Sequence, residues 1–367
     1  MSKLRIAIFL GVVLFFLYLV NAVIYEAFKT IFSIYSTGLI ALGVILGILS
    51  ISFIVSSLLG MRFYNWFTRI YYTLSAVWMG FAVYLFFASV IYGLLLLANI
   101  PASIVIGQIL IAVAGIAGIY GIVHARSIYI KHVEVTLPNL PPVWRGKRVV
   151  FVSDLHLGQL HGSGWAQRVI TKINSLQHEA LFIGGDLFDG TSAPDLPALI
   201  APLKKSQATH GTFFITGNHE EFGSNSKFIE AIRASGIRVL MNEVVSIEGL
   251  QIVGVDYAAT AKKENFKNLL ATLPINREQP SILLKHEPKD LDVASESGIS
   301  LQLSGHTHRA QQWPLGYVAR LIYKGYEYGL KRFKNMQVYT SSGAGTWGPP
   351  LRVGTDCEIV SITLIGS

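Results

Sequence analysis

Residues 147–158 read KRVVFVSDLHLG. Four apolar residues in a row, Val149–Val152, read as a strand. The run ends in a different chemistry, Asp154-Leu-His156. The same sentence recurs downstream. ALFIGGDLFD (180–189) ends in Asp186 and Asp189, and TFFITGNHE (212–220) in Asn218, His219 and Glu220. SILLKHEP (281–288) carries His286, and SLQLSGHTH (300–308) carries His306 and His308. Side chains that bind ligands in α/β folds gather where strand ends open into loops. Five strand ends here offer carboxylate, amide or imidazole groups.

Working outward, strands are expected at 148–153, 180–184, 212–216, 250–255, 281–285, 300–304, 337–341 and 358–364. Helices are expected near 164–177, 195–204, 225–235, 262–272 and 288–296. An edge strand at 133–137 would precede them. Strand–helix alternation followed by mainly strands predicts layered sheets flanked by helices.

The N-terminal third is another material. Residues 1–124 hold five of the 30 Lys and Arg and one of the 22 Asp and Glu. The stretches 6–25, 30–61 and 70–125 have no charged side chain. A spanning helix needs about 20 apolar residues, so four are expected, near 4–25, 36–60, 71–97 and 103–124. The first reads as an uncleaved anchor, because its apolar run is too long for a signal peptide and no small-x-small site follows. Lys3, Arg5, Arg62, Arg69, Arg126 and Lys131 would fall on one side and Lys29 on the other. By the positive-inside rule the first side is the cytoplasm. The expected organisation is a transmembrane domain over 1–125, a linker and edge strand over 126–144, and a catalytic domain over 145–367, at the inner (plasma) membrane.

Charge excludes other classes. The formal net charge of +8 is shared equally between the two parts, which argues against a nucleic-acid groove and fits attraction to anionic membrane lipids. The spans carry no ionisable residue apart from His124 at a boundary, so an ion pathway has little support. One cysteine, Cys357, precludes an internal disulfide and a thiolate zinc site.

Asp154, His156, Asp186, Asn218, His286, His306 and His308 supply oxygen and nitrogen donors without sulfur. That set suits manganese, iron or zinc as catalytic divalent ions. A carboxylate after a glycine pair, Gly184-Gly185-Asp186, is placed to bridge two of them.

The ordered motifs D-x-H, G-D-x-x-D, G-N-H-[DE], a lone H and G-H-x-H resemble those of the calcineurin-like metallophosphoesterases, and the flanks resemble their membrane-associated bacterial phosphodiesterase branch. The resemblance covers residues 145–365 and implies a four-layer α/β/β/α sandwich. It implies a first metal held by Asp154, His156, Asp186 and His308, and a second by Asp186, Asn218, His286 and His306. His219 would stand beside the leaving group with Glu220 orienting its ring. The implied activity is phosphodiester or pyrophosphate hydrolysis, with a lipid-linked ester as one fitting substrate. A phosphomonoesterase or phosphoprotein phosphatase, and a membrane sensor or scaffold that only binds, stay open. The chain departs from the family's G-H-T-H-G-G-Q by placing Arg309 and Ala310 where glycines stand. Arg309 is a candidate phosphate contact, and His161 a candidate pocket residue. The oligomeric state is not encoded in these motifs.

Overall fold

The computed structural model describes residues 3–101, 104–190, 195–221 and 225–366. The chain divides into two compact units, Met1–His124 with Gly348–Val353, and Ala125–Trp347 with Gly354–Ser367.

The first unit contains four helices, α1 (Lys3–Ile31), α2 (Thr37–Arg62), α3 (Trp66–Leu97) and α4 (Ile104–His124). All four are long and apolar enough to cross a membrane. The expected start of the last helix, residue 103, lies outside the described residues. Helix α3 begins earlier than its uncharged run because Asn65 caps it. The Asn65 side chain accepts Thr68 N–H, and the Thr68 hydroxyl accepts Asn65 N–H, a reciprocal box that satisfies two otherwise orphaned donors. The small residues Gly107, Ala114, Gly118 and Gly121 make the buried face of α4. At Gly118 a Cβ would collide with the Phe81 ring, so glycine here permits close helix approach. Serine hydroxyls at 50, 52 and 56 return to carbonyls three or four residues earlier, and Ser56 also meets Ser75 at 2.6 Å. The segment Gly348–Val353 joins this unit. Leu351 is fully buried among Leu85, Ala88 and Ala114 of the helical core, and Arg352 N–H donates to Gly121 O.

The second unit runs β1 (Ile128–Leu137), β2 (Arg148–Val152), α5 (Ser163–Asn174), β3 (Ala180–Ile183), α6 (Leu196–Ile200), β4 (Thr212–Phe214), α7 (Asn225–Ala234), β5 (Arg238–Val239), β6 (Glu243–Ile247), β7 (Leu250–Gly254), α8 (Lys263–Thr272), β8 (Ser281–Leu284), α9 (Leu291–Glu296), β9 (Leu301–Ser304), α10 (Gly316–Ile322), β10 (Gly329–Phe333), β11 (Met336–Thr340) and β12 (Cys357–Gly366). Among the described residues these strands form two six-stranded sheets, ordered β1-β12-β2-β3-β4-β5 and β10-β11-β9-β8-β7-β6.

Alternation within single strands builds the layers. Val149 and Phe151 of β2 face Ile252, Ile282 and Leu303 of the other sheet. Val150 and Val152 point the opposite way, onto Val169, Ile170 and Ile173 of α5. On the far side, Val253 and Leu283 pack against Phe266 and Leu270 of α8. The result is an α/β/β/α sandwich. Strands β2, β3 and β4 are parallel with Val152, Ile183 and Phe214 in register. Strands β8 and β9 are parallel with Leu284 opposite Leu303. Parallel pairing in register brings each group of strand ends out on one rim.

A candidate dinuclear metal centre

The motif residues follow these strand ends directly, Asp154 after β2, Asp186 after β3, Asn218 and His219 after β4, His286 after β8, and His306 and His308 after β9. Both sheets therefore contribute. Their donor atoms form three overlapping groups, Asp154–His156–His308, His156–Asp186–His219 and Asp186–His286–His306, each with all atoms within 4.8 Å.

One oxygen sits at the middle. Asp186 Oδ2 lies 3.2 Å from His286 Nε2, 3.9 Å from His156 Nε2 and 4.0 Å from His219 Nε2. The other oxygen, Oδ1, accepts His219 N–H at 2.9 Å. Asp154 accepts His306 N–H through both oxygens, at 3.0 and 3.1 Å. Its Oδ1 is 3.6 Å from His308 Nε2. The rings are aimed by their second nitrogens. His286 Nδ1 donates to Gly184 O at 2.7 Å, and His219 Nδ1 to Asp189 O at 2.9 Å. In both, Nε2 is the atom left facing the cluster, the usual way a backbone carbonyl fixes a ligating histidine. His306 Nδ1 meets Asn218 Oδ1 at 2.8 Å.

Five of the candidate ligands, Asp154, His156, Asp186, His306 and His308, have φ between 48° and 68°. A side chain in this region costs of order 1 kcal/mol or more, and such residues persist only where the surroundings over-determine them. Here close approach does so. At Gly217 and Gly305 a Cβ would run into Asp186 Oδ1 and Asp154 Oδ2. Both glycines exist for proximity, since neither has positive φ.

Electrostatics favours a cation. Burial pushes the Asp154 carboxyl up, with His286 opposing and Asp186 adding to the rise. Burial also resists ionisation of Asp186, but His286, His219 and His156 outweigh it and hold that carboxyl well below the usual range. Burial, then His219, keeps the His156 ring neutral, with its pKa well below the ordinary value. Buried carboxylates facing imidazole nitrogens at these distances make a site that a divalent ion completes. The residues present fit such ions.

Glu220 behaves otherwise than expected. Its carboxylate accepts the N–H groups of Asp186 (2.9 Å), Phe188 (3.2 Å) and Gly217 (2.7 Å), so it ties two motif loops together. The ring of His219 is oriented by the Asp189 carbonyl instead. Burial and the Asp186 charge push the Glu220 carboxyl up to about 7, against the pull of those amides. Asp189 Oδ2 accepts Gln159 N–H at 2.8 Å and ties its loop to the one that follows β2.

Arg309 lies with its guanidinium 4.6 Å from the centre of the Tyr328 ring. His161 Nε2 is 2.9 Å from the Thr346 hydroxyl and accepts Thr346 N–H at 3.1 Å, and its ring stacks on Trp165. Four further residues stand beside the candidates named above. Gln311 brackets Trp347 by donating to its carbonyl (2.9 Å) and accepting its N–H (2.8 Å), and Trp347 meets the His219 ring edge-on. Glu287 Oε1 lies 3.1 Å from His306 Nε2, and the Tyr323 ring stands 6.3 Å from that of His306. Glu287 directly follows His286, a usable signal. Tyr323 carried none.

This fold with this rim of donors defines a metallophosphoesterase architecture. Residues 147–310 match the family described as calcineurin-like phosphoesterase, and the chain carries a calcineurin-like metallophosphoesterase domain. A metallophosphoesterase of Helicobacter pylori is 34% identical over 223 residues, covering 59% of this chain and 60% of its own. One from Campylobacter jejuni is 33% identical over 241 residues, covering 65% and 63%. A Danio rerio protein named as a transmembrane protein with metallophosphoesterase domain is 30% identical over 268 residues, covering 69% and 61%. The chain spans about three fifths of the length of these relatives.

Proposed function

We propose that this protein is a membrane-anchored phosphodiesterase or pyrophosphatase with a dinuclear metal site, acting at the cytoplasmic face on a phosphate ester, a lipid-linked one fitting best. The observation that carries this reading is the position of Asp186 Oδ2, within 4.0 Å of imidazole nitrogens belonging to both ligand groups. A carboxylate shared in that way is what a metal pair about 3.5–4 Å apart requires. Asp154, His156, Asp186 and His308 would hold one ion, and Asp186, Asn218, His286 and His306 the other. When bound, such a pair supplies Lewis acidity for the phosphoryl oxygens and an acidified water near neutral pH.

The remaining work belongs to the chain. His219 presents Nε2 to the site because Nδ1 is committed to Asp189 O. Nε2 is therefore the atom that would hand a proton to the departing oxygen. Glu220 holds the loops bearing Asp186 and Asn218 at fixed separation through its three amide contacts. Positive residues on the helix ends and linker support the cytoplasmic orientation.

The test is hydrolysis of bis(p-nitrophenyl) phosphate by the full chain in detergent, with and without added manganese. Metal-dependent turnover that disappears in Asp186→Asn is expected. Metal binding with no turnover of diester, monoester or pyrophosphate would overturn the enzymatic reading in favour of a sensor or scaffold.

A further inference from the structure

The segment 313–324 departs from the ordinary behaviour of apolar side chains. Trp313, Tyr317 and Leu321 follow one another at intervals of four residues and are 60%, 64% and 80% exposed. Val318 and Ile322, one position on, are exposed as well, while Ala319 on the opposite side is buried against the domain. Helix α10 thus seats itself through a small residue and turns its large ones outward. Exposed apolar residues scattered singly need no explanation, but five within ten residues on one face mark an interaction surface. The composition narrows the partner. Trp and Tyr with aliphatic residues, beside exposed Arg320 and Lys324, are the side chains that settle at a bilayer's headgroup boundary. The basic pair complements anionic lipid. The chain's own four membrane-capable helices hold it at a bilayer.

We propose that the exposed face of α10, with Trp313, Tyr317, Val318, Leu321 and Ile322, rests in the interfacial layer of an anionic phospholipid bilayer. The C-terminal end of this helix leads straight to the candidate centre. Tyr323, the next residue, faces His306. It also lines a cavity of about 350 Å³ together with Ile322, Phe333, Lys263, Lys289, Asp290 and Asp292. If the hydrolytic reading above holds, Tyr323 joins this face to the edge of the donor cluster, where a lipid-phase ester would be taken up.

The test places an environment-sensitive fluorophore at Leu321→Cys in the full chain. Cys357 is fully buried and leaves position 321 as the reactive site. The chain is reconstituted into phosphatidylcholine vesicles with and without phosphatidylglycerol, both doped with acyl-chain spin-labelled lipid. The expected result is blue-shifted emission, quenched at least about twofold by the spin label, with stronger quenching when phosphatidylglycerol is present. A fluorophore that reports water and escapes quenching in both membranes would overturn the proposal. So would protection that follows protein density and ignores the spin label, which would assign the face to a second copy of the chain. The readout is lipid contact alone, so loss of the hydrolytic reading and loss of this one are separately visible. A second label at Tyr317→Cys repeats the measurement should Leu321→Cys fold poorly.

Discussion

Nε2 of His156 lies 2.9 Å from Nε2 of His308, although 152 residues separate them in sequence. At most one proton fits across that gap, and Asp154 Oδ1 stands 3.6 Å from Nε2 of His308. A cation satisfies both nitrogens and the carboxylate together. His308→Ala is therefore expected to lose one of two bound ions and at least about a hundredfold in turnover, as metal-site changes commonly do. Asp186→Asn is expected to lose both ions and all measurable turnover. Metal content per chain by elemental mass spectrometry, measured beside the rate, checks both. Equal metal loss in the two variants would refute the division into two sites.

His219 predicts a different signature. Its Nε2 faces the cluster 4.0 Å from Asp186 Oδ2 while Nδ1 is held by a backbone carbonyl. His219→Ala is expected to keep its metal and to slow esters with poor leaving groups by about 10²–10⁴, and activated nitrophenyl esters far less. Equal slowing of both substrate types would remove the proton-donor role.

Ala310 has φ 57° and Arg309 φ 49°, at the two positions where the resembled motif G-H-T-H-G-G-Q has glycine. Both hold a backbone conformation that glycine adopts freely and other side chains resist. Ala310→Gly is expected to raise stability by about 0.5–1 kcal/mol, the strain relieved less the entropy that glycine adds to the unfolded chain. Thermal unfolding of the full chain in detergent reads this as a rise in Tm. An unchanged or lower Tm would show that no strain is stored there.

Lys285 is buried under the Phe266 ring, with its ammonium donating to Glu287 O at 2.9 Å. Burial lowers its pKa to about 8, against the opposing pull of Glu287. Between about pH 8 and the unfolded value near 10.4 the folded chain binds fewer protons than the unfolded one. Stability contributed by this group therefore rises with pH through that window, by up to about 3 kcal/mol, and its cost is fully present below pH 8. In Lys285→Met that rise should be missing. The difference in Tm between variant and parent should shift towards the parent as the pH climbs from about 7.5 to about 10. A difference that does not change with pH would refute the assignment.

Much of the catalytic fold was legible because its strands announce themselves. Continuous apolar runs ending in Asp154, Asp186 and His286 mark strands without reference to the rest of the chain. Strand β6 was not legible. Its half-buried Glu243–Ile247 pairs antiparallel with β7 across Glu248 and Gly249, and a surface hairpin needs no apolar run. Strand β5 has two residues and no pattern at all. Helix α10 hid because its outward face is apolar, the reverse of the usual amphipathic sign. Nor does anything in Gly-Pro-Pro-Leu-Arg-Val, 348–353, separate it from its neighbours in sequence. Tertiary contact alone assigns it to the helical unit, with Leu351 buried among the helices and Arg352 N–H bonded to Gly121 O.

The sequence by itself determined the local properties: four helices apolar enough to span a membrane, the strands of the sandwich core, and which donors stand at strand ends. These follow from composition and periodicity within a few residues. The tertiary structure alone decided that Asp186 Oδ2 stands among three imidazoles, that Glu220 clamps backbone amides and that the Asp189 carbonyl aims His219. Those relations depend on two sheets meeting face to face through Phe151, Phe182, Ile282 and Leu303. That meeting is set by burial between residues far apart in the chain, and no local pattern records it.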